Sequence, residues 1–112
     1  RQHVDALAEA FPISAVRLTG GASRSALWTQ IFADVLGRPV EVTSTDETGA
    51  LGVALLAGVA GGAYASLSDA VDRTVHVSRR HEPQEEGMGR VAPAYAKYQQ
   101  ALHDLVPLWR TH

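Results

Sequence analysis

Cysteine is absent from the sequence, and this absence excludes disulfide bonds and thiolate metal ligands. It is compatible with a reducing compartment, so we expect a cytoplasmic protein. Long apolar runs are missing as well. The most apolar segment, residues 50–63, is interrupted by glycines and falls short of the ~20 residues that span a bilayer. The chain opens with polar residues and lacks the apolar core of a signal peptide. We therefore expect neither a membrane partner nor a secretory signal.

An excess of basic charge is also lacking. The net formal charge is −2 and the pI is about 6.2, so no positive field attracts nucleic acid or anionic lipid. Arg79, Arg80 and His81 form a basic cluster that Glu82 offsets at once. We predict a solvated loop there and no nucleic-acid partner.

The five histidines are scattered, without the short H-x-x-x-H or H-x-H spacing of metal ligands. We therefore expect no metal site built by this chain. Sequence separation alone also supports no Ser-His-Asp triad.

What is present is an ordinary globular composition, with 46% hydrophobic and 20% charged residues. Helical and extended patterns alternate along the 112 residues, which predicts an α/β sheet with helices packed on it and no internal linker. The first predicted elements are a helix over 4–11, a strand over 13–18, a helix over 27–36 ended by Gly37, a strand over 39–42 and a helix over 48–60. They are followed by a short helix capped by Ser66 or Ser68, an extended segment over 74–77 and a polar loop over 78–90. The last is a helix from Pro93, with an apolar stripe at Tyr95, Tyr98, Leu102, Leu105 and Trp109.

The first helical pattern starts at Val4 without a start methionine or an N-cap residue ahead of it. We interpret the chain as a fragment of a longer protein.

The predicted helix over 48–60 is apolar around almost its whole circumference, so it should be enclosed by other elements. Ser44 and Glu47 have the S-x-x-E spacing of a capping box at its start. Glycines inside the helix indicate close approach by a neighbouring backbone or a ligand, or simply tight packing on a sheet.

A Gly-Gly turn separates the first strand from the second helix. Gly20 and Gly21 permit dihedrals closed to other residues and remove side chains, so that a ligand can touch the backbone. The following helix directs free N–H groups to the same place, which favours a phosphate. A plain turn is the alternative interpretation. The patterns G-x-x-x-x-G-K-[ST] and G-x-G-x-x-G are both absent, so neither a P-loop nor a dinucleotide-binding Rossmann unit is indicated.

Two long motifs occur here in a specific order. LTGGASRSALWTQIFADVLGRPV over residues 18–40 and ETGALGVALLA over residues 47–57 resemble the adenosine-motif region and following helix of the FGGY carbohydrate kinases, particularly the xylulokinase-like branch. The resemblance is strong over residues 16–64 and looser after residue 75. It implies the C-terminal part of an actin-like ATPase (ribonuclease H-like) lobe, the second, nucleotide-binding lobe of a sugar kinase that uses ATP and Mg²⁺.

The resemblance also implies site roles. Gly20 and Gly21 would bring backbone amides to the ATP phosphates, and Ser25, with Ala22 and Ser23, would border the adenosine. Many family members have a third glycine where Ala22 stands, so the approach there would be tighter. These ATP-binding residues belong to a chain whose partners would be ATP, a small sugar or polyol, the rest of the kinase and a possible second copy.

The catalytic aspartate and the acidic groups near Mg²⁺ belong, by the same resemblance, to a segment before Arg1. We therefore expect no catalytic residue in this chain and no kinase activity from it alone. Asp34 lies inside the second predicted helix, where a solvent or capping role fits better than catalysis. An actin- or chaperone-type ATPase lobe stays an alternative, as does a non-catalytic domain that forms dimers through the stripe ending at Trp109.

Overall fold

The computed structural model describes residues 1–109, and of Leu108 and Trp109 it describes the backbone only. The elements are α1 (Gln2–Ala10), β1 (Val16–Leu18), a 3₁₀ turn (Gly21–Arg24), α2 (Ala26–Leu36), β2 (Val40–Thr43), α3 (Thr48–Ala60), α4 (Leu67–Thr74), β3 (Val77–His81) and α5 (Glu85–Trp109). The predicted α/β class is confirmed. No helix among the described residues is long and apolar enough to cross a membrane.

The three strands form one sheet in the order β1-β2-β3. β1 and β2 are parallel, with Val16 opposite Val40, and α2 is the crossover between them. β3 runs antiparallel along the other edge of β2. On one face a row of charges crosses all three strands, because the Glu41 carboxylate pairs with Arg17 at 3.3 Å and Arg80 at 2.8 Å.

The opposite face of the sheet carries the core. Ala33 and Leu36 of α2 pack on Val40 of β2, and partly buried apolar side chains from α1, β1 and α2 surround them. Gly37 ends α2 with φ 64° and ψ 29°, the left-handed conformation predicted for it. The core fixes α2, and with it the turn that precedes α2, against the carboxyl end of β1.

The start of α3 differs from the predicted capping box. Glu47 occupies the N-cap position without a side-chain capping bond, and the Thr45 hydroxyl accepts the Glu47 N–H at 3.3 Å. Asp46 and Glu47 pair instead with Arg24, at 3.2 and 3.9 Å. The capping-box prediction is wrong because these carboxylates face a cation from another part of the chain. The predicted cap of α4 is confirmed, since the Ser66 hydroxyl accepts the Asp69 N–H at 3.1 Å.

The predicted polar loop over residues 78–90 is also wrong. Its first residues form β3, and α5 begins at Glu85, eight residues before Pro93, which lies inside the helix. Ladder pairing with β2 supplies the stability that the polar strand sequence lacks. The early helix start has a tertiary cause, because Asp34 of α2 accepts the Gln84 N–H at 2.8 Å.

α5 packs on α2 and also contacts the α1 region through Tyr95. The Tyr95 hydroxyl donates to the Asp5 carboxylate at 3.3 Å, and the Arg1 guanidinium lies 4.5 Å from the Tyr95 ring centre. Tyr98 of the same apolar stripe is 51% exposed. The side chain of Trp109, where the stripe was predicted to end, lies outside the described residues.

The apolar helix α3 is not enclosed within this chain. Leu55 is its one buried residue, whereas Val53 and Leu56 are 69% and 58% exposed. The radius of gyration is 18.2 Å, against about 13 Å for a compact domain of this length. A large apolar surface is therefore open to contact with further protein.

Candidate functional site

The candidate site is the turn between β1 and α2, residues 20–25, which we call the glycine loop. Gly20 has φ 80° and ψ −164°, a backbone conformation that is essentially restricted to glycine. The Gly20 carbonyl accepts two bonds from Ser23, one from its N–H at 3.0 Å and one from its hydroxyl at 2.7 Å. These bonds close the loop on itself, so its curvature is set by one glycine and one serine.

The outer side of the loop is open. A Cβ atom added at Gly20 or Gly21 would meet no heavy atom within 4 Å, and both residues are exposed. Gly21 and Ala22 begin the 3₁₀ turn, so their N–H groups have no acceptor within that turn. Exposed amides on a side-chain-free surface can donate to an anionic group that approaches closely.

The two serine hydroxyls are both engaged in bonds within the chain, Ser23 in a buried place and Ser25 at an exposed helix start. Ser23 is 2% exposed, and its hydroxyl is engaged with Gly20. Ser25 caps α2, because its hydroxyl accepts the Trp28 N–H at 3.3 Å, and its carbonyl accepts both the N–H and the hydroxyl of Thr29. The structure therefore places all five predicted ATP-binding residues in one loop and gives the two serine hydroxyls bonds that shape it.

Two arginines tie the glycine loop to distant elements. Arg24 pairs with Asp46 and Glu47 before α3, and Arg79 of β3 donates from its guanidinium to the Ser23 carbonyl. Sequence reasoning missed Arg79, because the basic cluster was interpreted as a solvated loop. The periodic signal of a half-buried strand is weak over SRRH, where both alternate positions are polar.

Asp34 lies in the last turn of α2, whereas the glycine loop precedes the first turn. It is 8% exposed near the end of α2, where its Oδ1 accepts the Gln30 side-chain amide at 2.9 Å and the Gln84 N–H at 2.8 Å. The predicted solvent role is wrong, because Asp34 is buried, and its carboxylate instead holds the residue that precedes α5.

The described residues contain no group of three or more metal-ligating side chains. Within residues 1–109 there is therefore no ligand set that fits Mg²⁺. A cavity of about 240 Å³ lies elsewhere, between β2, α3 and α4. Its lining is mostly apolar and includes Leu51, Leu55, Val71 and Val75.

An open glycine turn between a parallel strand and a helix, in an α/β fold, is typical of nucleotide-binding proteins. The family model described as "FGGY family of carbohydrate kinases, C-terminal domain" matches residues 1–61. The chain belongs to the FGGY family of carbohydrate kinases, as its motifs predicted.

Curated relatives include the autoinducer-2 kinase of Escherichia coli (strain K12), which is 36% identical over 95 residues. The autoinducer-2 kinase of Salmonella paratyphi B (strain ATCC BAA-1250 / SPB7) is 39% identical over 85 residues. These matches cover 85% and 76% of this chain but only 18% and 16% of the respective relatives. The chain thus spans less than a fifth of the length of these two curated relatives.

Solved structures of this family share the fold. The xylulose kinase of Rhodospirillum rubrum superimposes with a TM-score of 0.69 at 24% identity, covering 97% of this chain and 22% of that one. The ligand-bound xylulose kinase of Lactobacillus acidophilus gives a TM-score of 0.68 at 21% identity, covering 90% and 22%. The predicted actin-like fold is therefore confirmed.

Proposed function

We propose that residues 1–112 are the C-terminal portion of the second lobe of an ATP-dependent carbohydrate kinase, and that the glycine loop binds the nucleotide. The observation that carries this proposal is the open, side-chain-free surface at Gly20 and Gly21, where backbone amides are exposed. Family membership supports it, because carbohydrate kinases transfer a phosphoryl group that must be held by fixed donors.

Each loop residue has a specific task in this proposal. The N–H groups of Gly20, Gly21 and Ala22 donate to phosphate oxygens, as charge-assisted bonds that are stronger than neutral ones. Ser25 borders the adenosine while it caps α2. Ser23 is 2% exposed, so it acts from beneath the loop, where its hydroxyl keeps the loop curved through the bond to Gly20.

The proposed reaction moves the terminal phosphoryl group of ATP to a hydroxyl of a small ketose or polyol. The names of the relatives, autoinducer-2, xylulose and gluconate kinases, are consistent with a small polyhydroxylated acceptor. Mg²⁺ would neutralise phosphate charge during transfer, with ligands supplied from outside this chain. The base that deprotonates the acceptor would also lie outside it, so we expect no phosphorylation by the 112 residues alone. An enzyme that consumes ATP in this way would work in the cytoplasm.

The test is ATP binding by the complete native protein, measured by calorimetry with a non-hydrolysable analogue. Gly20→Val introduces a β-branched side chain at φ 80° on the surface proposed for phosphate. We expect an affinity about ten- to hundred-fold weaker, the effect of losing one charge-assisted bond or more.

Gly62→Val is the matched control. Gly62 has φ 78°, and a Cβ added there also meets no atom within 4 Å, so both positions combine a positive φ with open space. The control variant should lose similar stability and bind the analogue like the wild type. Unchanged binding by a folded Gly20→Val variant would remove the glycine loop from the nucleotide site.

A further inference from the structure

We propose that Arg79 is a positioning residue that holds the glycine loop in its nucleotide-binding shape through the Ser23 carbonyl. This inference rests on the proposed function of the loop. The contact itself is direct: the Arg79 guanidinium donates to the Ser23 carbonyl across 56 residues of sequence. It joins the edge strand β3 to the turn before α2.

The Arg79 bond gives a donor to the Ser23 carbonyl, the third polar group of this residue. Both the N–H and the hydroxyl of Ser23 already donate to Gly20, which curls the loop inward. The carbonyl of Ser23 points out of this pair and needs a donor of its own, because the residue is 2% exposed and shielded from water. Without Arg79 this carbonyl would be left without a donor at the base of the loop, and the peptide could rotate. Rotation there would move the amides of Gly21 and Ala22.

The pairing of β3 with β2 brings Arg79 to the glycine loop. Arg79 lies opposite Val42, and the ladder then shifts, so that Thr43 is opposite Val77. The extra residue is Ser78, whose hydroxyl donates to the carbonyls of Val42 and Thr43 at 3.1 Å each. A β-bulge held in this way re-aims the neighbouring side chain. Because Arg79 is paired directly with Val42, it shares the face of the sheet on which Val42 is buried, and its guanidinium reaches the Ser23 carbonyl of the loop.

Charge distinguishes Arg79 from its neighbours. Arg24 and Arg80 each lie within 4 Å of two carboxylates. Among residues 1–109, no carboxylate lies within that distance of the Arg79 guanidinium. The Arg79 charge at the loop therefore has no carboxylate beside it, and it offsets the surplus negative charge of Asp46 and Glu47 around Arg24.

The experiment uses the complete native protein and three variants, Arg79→Met, Arg79→Lys and Arg80→Met. Two quantities are measured for each, the affinity for a non-hydrolysable ATP analogue and hydrogen exchange of a peptide covering residues 19–25 without nucleotide. Arg79→Met should weaken analogue binding about ten-fold and speed loop exchange, since it removes one charge-assisted bond. Arg79→Lys keeps the charge and one donor, so it should recover part of both losses.

Arg80→Met removes an arginine from the other face of the same strand and should alter neither quantity. If Arg79→Met binds the analogue like the wild type while Gly20→Val does not, Arg79 has no positioning role and the proposed function stands. If neither Arg79→Met nor Gly20→Val weakens analogue binding, the proposed function is wrong, and the inference about Arg79 is overturned with it. Equal losses from Arg79→Met and Arg80→Met, without recovery in Arg79→Lys, would mean that the strand is merely destabilised and would also overturn the inference.

Discussion

The Asp34 carboxylate on α2 accepts the backbone N–H of Gln84 at 2.8 Å, immediately before the first residue of α5. The Gln30 side chain holds the same carboxylate oxygen at 2.9 Å and also donates to the Glu82 carbonyl at 2.8 Å. The Gln30 oxygen, in turn, lies 3.0 Å from Nδ1 of His81. One partly buried polar network therefore joins α2 to the end of β3 and to the start of α5.

The network predicts a clear stability effect at Asp34. Asp34→Ala removes the acceptor of the Gln84 N–H and of one Gln30 amide hydrogen in a partly buried place, so we expect a loss of roughly 1–3 kcal/mol. Asp104→Ala is a matched control, because Gln100 donates to Asp104 at 2.8 Å with the same spacing but on an exposed surface. Denaturant unfolding should show a change below about 0.5 kcal/mol there. Similar losses in both variants would contradict the importance of the partly buried network.

Nucleotide affinity gives Asp34 a second test. Asp34 belongs to the α2–α5 junction, whereas the glycine loop lies at the opposite end of α2. We therefore expect a folded Asp34→Ala variant to bind an ATP analogue within about two-fold of the wild type. A much larger loss, measured by calorimetry under conditions where the variant is folded, would mean that Asp34 contributes to the nucleotide site.

Two glycines of α5 should respond in opposite directions to alanine. A Cβ atom at Gly87 would lie 2.0 Å from Asp34 Oδ2 and 3.0 Å from Asp34 Cβ, so Gly87→Ala must displace a side chain that the network fixes. We expect it to cost about 1–3 kcal/mol. Gly89→Ala meets nothing within 4 Å and should stabilise the helix by about 0.5–1 kcal/mol.

The double variant Asp34→Ala/Gly87→Ala separates the causes. Removing the carboxylate also removes the clash, so the second substitution should cost little once the first is present. Additive losses in denaturant unfolding would show that Gly87 is required for a reason other than Asp34.

The same two residues show why the end of the chain was harder to predict than its middle. The strand–glycine turn–helix order and the Gly37 terminus depend on neighbours within a few residues, so local patterns were sufficient to predict the turn in which the candidate site lies. The start of α5 depends on Asp34, which is 50 residues away. Glycines and prolines at the start of α5 predict a loop by local propensity, and only tertiary contact reverses that preference.

The contact between α1 and α5 should weaken at alkaline pH. Partial burial and the neighbouring Asp5 carboxylate raise the pKa of the Tyr95 hydroxyl above its ordinary value of about 10. Because the folded state favours the neutral phenol, the stabilisation is complete below the unfolded pKa and is lost as the pH rises through the folded one. Wild-type stability should therefore fall more steeply above pH ~10 than that of Tyr95→Phe.

Melting temperatures between pH 8 and 11 provide the measurement. Tyr98→Phe is the control, since Tyr98 lies one turn away with a largely exposed ring. It should keep the wild-type pH dependence. Parallel curves for the wild type and Tyr95→Phe would show that ionisation of Tyr95 is not coupled to folding.

The exposed face of α3 should behave differently in the isolated chain and in the complete native protein. Val53 and Leu56 stand on that face, and the relatives are more than five times longer than the segment they share with this chain. We expect the remaining protein to cover the face. Val53→Lys should then be nearly neutral, or improve solubility, in the 112-residue chain. In the complete protein it should cost about 2–4 kcal/mol, because a buried charge would lack a partner.

Gln99→Lys is the control, because it adds the same charge at an exposed polar position of α5 and should be neutral in both proteins. Melting temperatures are compared for the wild type, Val53→Lys and Gln99→Lys, each as the 112-residue chain and as the complete protein. A Val53→Lys variant as stable as the wild type in the complete protein would mean that α3 faces solvent there too.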